Sequence, residues 1–211
     1  MTSAILARIV SVIFHPLLLA TYLFAVFAFV FPIAFDPISD DGIWRFIFIL
    51  FCVTFVLPVM MVTLLKLLGV TDTFTMRSRG ERVIPFVMIS IFYTAVTWVF
   101  YHRAEVSLND NFLKFLIVIN VLVLVCTLVT FFYKVSVHSV GVWGFIGILL
   151  PLNNLSETSA LFYPLLIAIV LAGAIMSARL KLQVHNLGEV LMGSIVGLGT
   201  SFLMMSHLFR Y

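Results

Sequence analysis

The stretch Ser177-Ala178-Arg179-Leu180-Lys181-Leu182-Gln183-Val184-His185-Asn186-Leu187-Gly188-Glu189 stands between two apolar runs, about 159–178 and 187–208. Each run has about the roughly 20 residues that a helix needs to cross a bilayer. A guanidinium, an imidazole and a carboxylate therefore share a membrane boundary, where polar groups are costly and mark function. With the last span helical from about His185, His185 and Glu189 lie four apart on one face and can touch. A carboxylate that orients a histidine, with a cation nearby, is chemistry for a phosphate.

The rest of the chain agrees with a membrane setting. Of 211 residues, 63% are hydrophobic and 10% are charged, and mean hydropathy is +1.22. This excludes an ordinary soluble domain and indicates an all-α, polytopic membrane helix bundle. The formal charge of +3 is too small for a nucleic-acid binder, and no basic run is present. Cys52 and Cys126 fall in apolar runs and read as buried small hydrophobes. Arg8 precedes an apolar stretch too long for a cleavable signal, which reads instead as the first span.

Seven candidate spans emerge, at about 10–34, 43–69, 83–102, 112–133, 137–152, 159–178 and 187–208, for a bundle of six to seven transmembrane helices. Pro16 and Pro32 can split or kink the first. The fifth is short and carries Gly141, Gly144 and Gly147, so it can be tilted or only partly crossing. Connections are brief, giving a single integral-membrane domain over 1–211. Gly193-x3-Gly197, followed by Gly199, is a close-packing signal that seats the last span against a neighbour rather than driving dimerisation.

Charge follows parity. Asp36, Asp40, Asp41, Glu105, Asp110 and Glu157 come after spans one, three and five. Arg77, Arg79, Arg82, Lys134, Arg179 and Lys181 come after spans two, four and six. The second group thus shares one face, on which three short loops converge, about 75–85, 134–141 and 177–189. The first reads Thr75-Met76-Arg77-Ser78-Arg79-Gly80-Glu81-Arg82-Val83-Ile84-Pro85, with Pro85 suited to a first helical turn and the arginines beside the positive helix end. The same arginines also suit flanking charge that fixes topology. The second reads Lys134-Val135-Ser136-Val137-His138-Ser139-Val140-Gly141. His15, His102 and His207 lie near span ends and read as interfacial structural histidines.

Together the loops resemble the type 2 phosphatidic acid phosphatase superfamily of integral-membrane lipid phosphatases, over roughly residues 79–189. That family has a first motif with Lys and Arg-Pro, a second reading Pro-Ser-Gly-His and a third reading Ser-Arg-x5-His-x3-Asp. Here the third is Ala178-Arg179-x5-His185-x3-Glu189, and the second survives as Ser136-Val137-His138. Arg79, Glu81, Arg82 and Pro85 stand in place of the first. The chain departs from the family in Glu189 for Asp, in lacking Pro and Gly before His138, and in the separation of Arg82 from Pro85.

The resemblance implies a phosphatase-like core in a short bacterial branch. It also implies hydrolysis of a lipid phosphomonoester or diphosphate with no cofactor and no metal. His185 would be the nucleophile that forms a phosphohistidine, Glu189 would orient it, and His138 would protonate the leaving alkoxide. Arg179 and Arg82 would hold the phosphate, with Arg79, Lys134 and Ser136 as further candidates. The partners implied are a lipid phosphate and the bilayer. The alternative is a non-catalytic membrane protein of the same fold that binds lipid phosphates or serves as an accessory subunit. A transporter is a third reading, but no paired broken helices mark a midplane site.

Positive charge leaves the orientation open. Arg8, Lys66, Arg77, Arg79, Arg82, Lys134, Arg179 and Lys181 lie on the site face, against Arg45, Arg103, Lys114 and Arg210. Setting aside Arg79, Arg82, Lys134 and Arg179 as phosphate ligands leaves a tie. Resemblance alone favours a periplasmic site at a bacterial inner membrane.

Overall fold

The computed structural model describes residues 2–36, 38–71, 76, 78–103, 110–155 and 160–209. Thr75, Arg77, Glu105, Glu157 and Arg210, invoked above, lie outside them. The described residues form helices α1 (Thr2–Ile13), α2 (Pro16–Val30), α3 (Asp40–Phe51), α4 (Leu57–Leu67), α5 (Gly80–Arg103), α6 (Asn111–Phe132), α7 (Val137–Leu155), α8 (Phe162–Lys181) and α9 (Leu187–Leu208). A short 3-10 turn (Pro32–Phe35) follows α2, and a π turn (Cys52–Val56) joins α3 to α4. No strand occurs among the described residues.

Five of these helical stretches are long and apolar enough to span a bilayer, or six with α1 and α2 counted as one broken span. The expected fifth span, α7, falls short, with His138, Ser139, Asn153 and Asn154 at its ends. The outer surface is apolar over its length, with Val12, Phe29, Leu67, Ile91, Phe132 and Val170 all exposed. An exposed apolar surface of that extent is what lipid covers.

The expected first span, 10–34, is not one helix. Pro16 has no N–H to donate and pushes His15 into extended backbone (φ −63°, ψ 135°). As a result α1 and α2 meet at a bend of 63°. A second proline acts more gently. Pro58 cannot donate to the Thr54 carbonyl, the chain makes a π turn there, and the Tyr93 hydroxyl donates to that carbonyl instead, at 3.0 Å. The span runs on unbroken from Asp41 to Leu67.

Alternation of the helices separates two ends. At one end the rings of Phe24, Phe27, Phe35, Phe46, Phe112 and Phe115 pack edge-to-face or tilted, and Phe209 stacks on Phe115 at 5.0 Å between ring centroids. At the other end lie the starts of α5, α7 and α9 and the ends of α6 and α8, which is the parity that the charge pattern indicates. Between the ends, Ser90 and Thr127 hydroxyls bond at 2.7 Å, and Thr94 donates to Asn120 Oδ1 at 3.1 Å. These tie α5 to α6 at about 0.6 kcal/mol each.

α7 and α9 make the closest helix pair, and glycine is the reason. A β-carbon at Gly197 would overlap the Val140 carbonyl oxygen and lie 2.9 Å from Gly144 N. At Gly193 it would lie 2.7 Å from the Ser136 carbonyl oxygen. The expected role of Gly193-x3-Gly197 is met inside the chain, against α7. Gly199 faces open space.

Candidate functional site

The site forms where α9 begins. Asn186 caps that helix, its Oδ1 accepting the Glu189 N–H at 2.9 Å. Glu189 then stands at the third helical position and His185 just outside the helix. Their contact therefore reaches across the cap rather than along one helical face, a correction to the expectation that the helix starts at His185. The reach is complete: His185 Nδ1 donates to Glu189 Oε2 at 2.5 Å. Asn186 Nδ2 donates to the other carboxylate oxygen at 3.3 Å, and Lys134 Nζ stands 3.6 Å from Oε2. Glu189 is 9% exposed and His185 7% exposed, and the carboxylate has three partners.

The second loop is stitched to the third. Lys134 Nζ donates to the Val184 carbonyl at 3.2 Å, and the Ser136 N–H donates to the Glu189 carbonyl at 3.0 Å. The Ser136 hydroxyl is fully buried and has no partner among the described residues. The first loop joins through Arg82. In the first turn of α5 and buried, its Nε donates to the Met76 carbonyl at 2.7 Å and one Nη to the Val135 carbonyl at 3.0 Å. Met76 takes a left-handed backbone (φ 42°), the bend that turns its carbonyl to the guanidinium. Arg82 thus staples two loops, and the hydrogen bonds it makes among the described residues use Nε and one Nη.

Arg179 is not in a loop. α8 runs on to Lys181, past the expected end at 178, and Arg179 sits in its last turn. Its Nε has no hydrogen-bond partner among the described residues. Its charge acts on His185, His138 and His15. His138, in the first turn of α7, gives Nε2–H to the Ser11 carbonyl at 3.0 Å. Arg79 is turned aside on the exposed surface, donating to the Phe132 carbonyl at 3.1 Å.

The electrostatics favour a neutral His185. Burial pushes its imidazole down to about 4, and the Arg82 and Arg179 guanidinium groups push the same way, while hydrogen bonding and charge from Glu189 pull it up. The carboxylate takes the Nδ1 hydrogen, which leaves a lone pair on Nε2. Among the described residues no three His, Cys, Asp or Glu side chains gather as metal ligands.

Two participants went unassigned in the sequence. Asn186 was legible there: Asn186-Leu187-Gly188-Glu189 is a capping-box spacing. The Ser11 carbonyl, from outside all three loops, had no local signal.

No family model, curated protein or solved structure matches this chain.

Proposed function

We propose that the chain is a membrane lipid phosphatase that hydrolyses a phosphomonoester or diphosphate of a lipid through a phosphohistidine on His185. The observation that carries this reading is the 2.5 Å His185–Glu189 hydrogen bond beside two guanidinium groups. The Nε2 lone pair attacks phosphorus, and the bond to the leaving oxygen breaks with its electron pair going to that oxygen. Arg179 and the other Nη of Arg82 neutralise the spread charge. Burial and then Arg179 hold the His138 imidazole low, so it takes its proton only with the phosphate dianion against it. It then delivers the Nδ1 proton to the leaving oxygen and returns to the tautomer that the Ser11 carbonyl holds. Water then attacks the phosphohistidine, losing its proton to His138, and releases phosphate from His185. The phosphatase-like core is part of the proposal, as is a bacterial cytoplasmic membrane with the site facing the periplasm.

Purified protein in mixed micelles, offered a panel of lipid phosphates and diphosphates, tests the activity. Release of inorganic phosphate that His185→Ala removes supports the enzyme; none from any substrate sinks it. A low His185 pKa adds a second expectation. The reactive form is the unprotonated one, so the acid limb of kcat/KM lies below the ordinary histidine value of about 6.5. A limb at or above that pH contradicts the assignment. Sidedness is read from Ser78→Cys, on the exposed surface, with Cys52 and Cys126 replaced by serine. Labelling of intact cells by a membrane-impermeant maleimide is expected, and labelling only after lysis puts the site in the cytoplasm.

A non-catalytic lipid-phosphate binder of the same fold is the second reading. It is favoured by Arg82, which spends Nε and one Nη on backbone carbonyls. Lipid-phosphate binding without His185-dependent release selects it.

A further inference from the structure

The α1–α2 break carries a residue from outside the three loops to the site. The His15 ring stands edge-on to the His138 ring, 5.7 Å between centroids and 76° between planes. Arg179 acts on both rings. Backbone partners fix how the hydrogens sit. The Leu17 amide can only donate, and it points at His15 Nδ1 from 3.4 Å. His15 Nδ1 therefore holds the lone pair, and Nε2 holds the hydrogen. The Ser11 carbonyl can only accept, so His138 Nε2 carries hydrogen and Nδ1 the lone pair. Arg179 Nε is buried without an acceptor among the described residues, and the hydrogen bond found for the His15 ring among them uses Nδ1, not Nε2. An unpartnered guanidinium N–H whose charge is felt at His15, near an imidazole N–H packed on the His138 ring, makes a place for an anion.

We propose that His15 contacts the phosphate, its Nε2–H donating to an oxygen of the group held by Arg179. This rests on the phosphate reading of the site and extends it to a part of the chain that none of the three loops includes. The shared chemistry is a phosphate or phosphomonoester dianion, whether free or on a lipid headgroup. Pro16 is what makes the placement possible. It ends α1 and puts His15 in extended backbone at the cap of α2, and it leaves the Ser11 carbonyl free for His138.

Capping and anion contact use different nitrogens, so two substitutions separate them. In His15→Asn, the side-chain oxygen stands where Nδ1 stood and keeps the cap, but nothing reaches the place of Nε2. In His15→Gln, the amide nitrogen reaches that place and the cap is lost. The full chain in detergent micelles is titrated calorimetrically with inorganic phosphate, and separately with phosphatidic acid in the micelle. Wild type is expected to bind at least one of them. His15→Asn should bind it about tenfold more weakly, the loss of one hydrogen bond to a charged group, and His15→Gln close to wild type. Which ligand shows the pattern identifies free phosphate or headgroup. Equal binding by His15→Asn and wild type overturns the proposal, as does His15→Gln as weak as His15→Asn, or no binding by wild type. The pattern in a protein that releases no phosphate keeps this inference and sinks the phosphatase. His185-dependent release with undiminished His15→Asn binding does the reverse.

Discussion

Replacing His185 with alanine is expected to take phosphate release down to the no-protein background, and Glu189→Gln to lower kcat on the order of 10³- to 10⁴-fold. The first removes the attacking nitrogen. The second is nearly isosteric, yet it reverses the hydrogen bond. The carboxylate accepts from His185 Nδ1 at 2.5 Å and so fixes the lone pair on Nε2. An amide NH₂ in that place donates to Nδ1, moves the ring hydrogen to Nε2 and blocks attack. Folding should survive, because Asn186 caps the Glu189 backbone N–H, which the substitution keeps. A Glu189→Gln enzyme within tenfold of wild type would falsify this orienting role. Glu189→Asp is expected to fall between the two. The extra methylene is what carries the carboxylate across the helix cap to His185, so a shorter acid at this helix position withdraws from the ring.

Gly197→Ala should be the most damaging small substitution in the helices. Its β-carbon overlaps the Val140 carbonyl oxygen and crowds Gly144 N. These are backbone atoms of α7, which cannot rotate away as a side chain can. The helices must then part, at a cost of about 3 kcal/mol or more, the upper end for overpacking. Separation also breaks the bond from the Ser136 N–H to the Glu189 carbonyl, which registers the second loop on the third. Gly199→Ala, which meets open space, is the matched control and should stay within about 0.5 kcal/mol of wild type. Thermal unfolding in detergent decides. Equal midpoints for the two variants would remove the close-contact argument.

Much of this architecture is written in apolar runs and charge parity. Six of the seven expected spans correspond to helical stretches of spanning length and apolarity, one of them the broken α1–α2 pair. The clustering of Arg82, Lys134, Ser136, His185 and Glu189 at one end follows from alternation alone. What apolar runs cannot tell is inside from outside, because lipid is as apolar as a core. The central place of α7 was therefore visible only in its glycines and serines. Nor can a sequence say what an arginine will bind. Arg82 reads as a phosphate ligand, but it spends two donors on Met76 and Val135. His15 reads as an interfacial structural histidine, and in the structure its ring caps α2. Its approach to His138, 123 positions away in the chain, is a tertiary fact.

The polar ends of α7 bear on how the chain is made. A segment with His138 and Ser139 at one end and Asn153 and Asn154 at the other carries polar groups that offset part of what its apolar middle gains from entering lipid. Its glycines meet fitted surfaces on three helices, Gly141 on Pro16 and Leu19 of α2, Gly144 on Leu122 of α6 and Ser201 of α9, and Gly147 on Leu198, Ser201 and Phe202 of α9, and α9 is the last of the three to leave the ribosome. The packing of α7 is thus completed only when the C-terminal helix arrives. A nascent chain stalled before Leu187 holds α7 without one of its packing partners and lacks Glu189. Completion of the site therefore waits for the last helix, and cutting off α9 removes Glu189 with it.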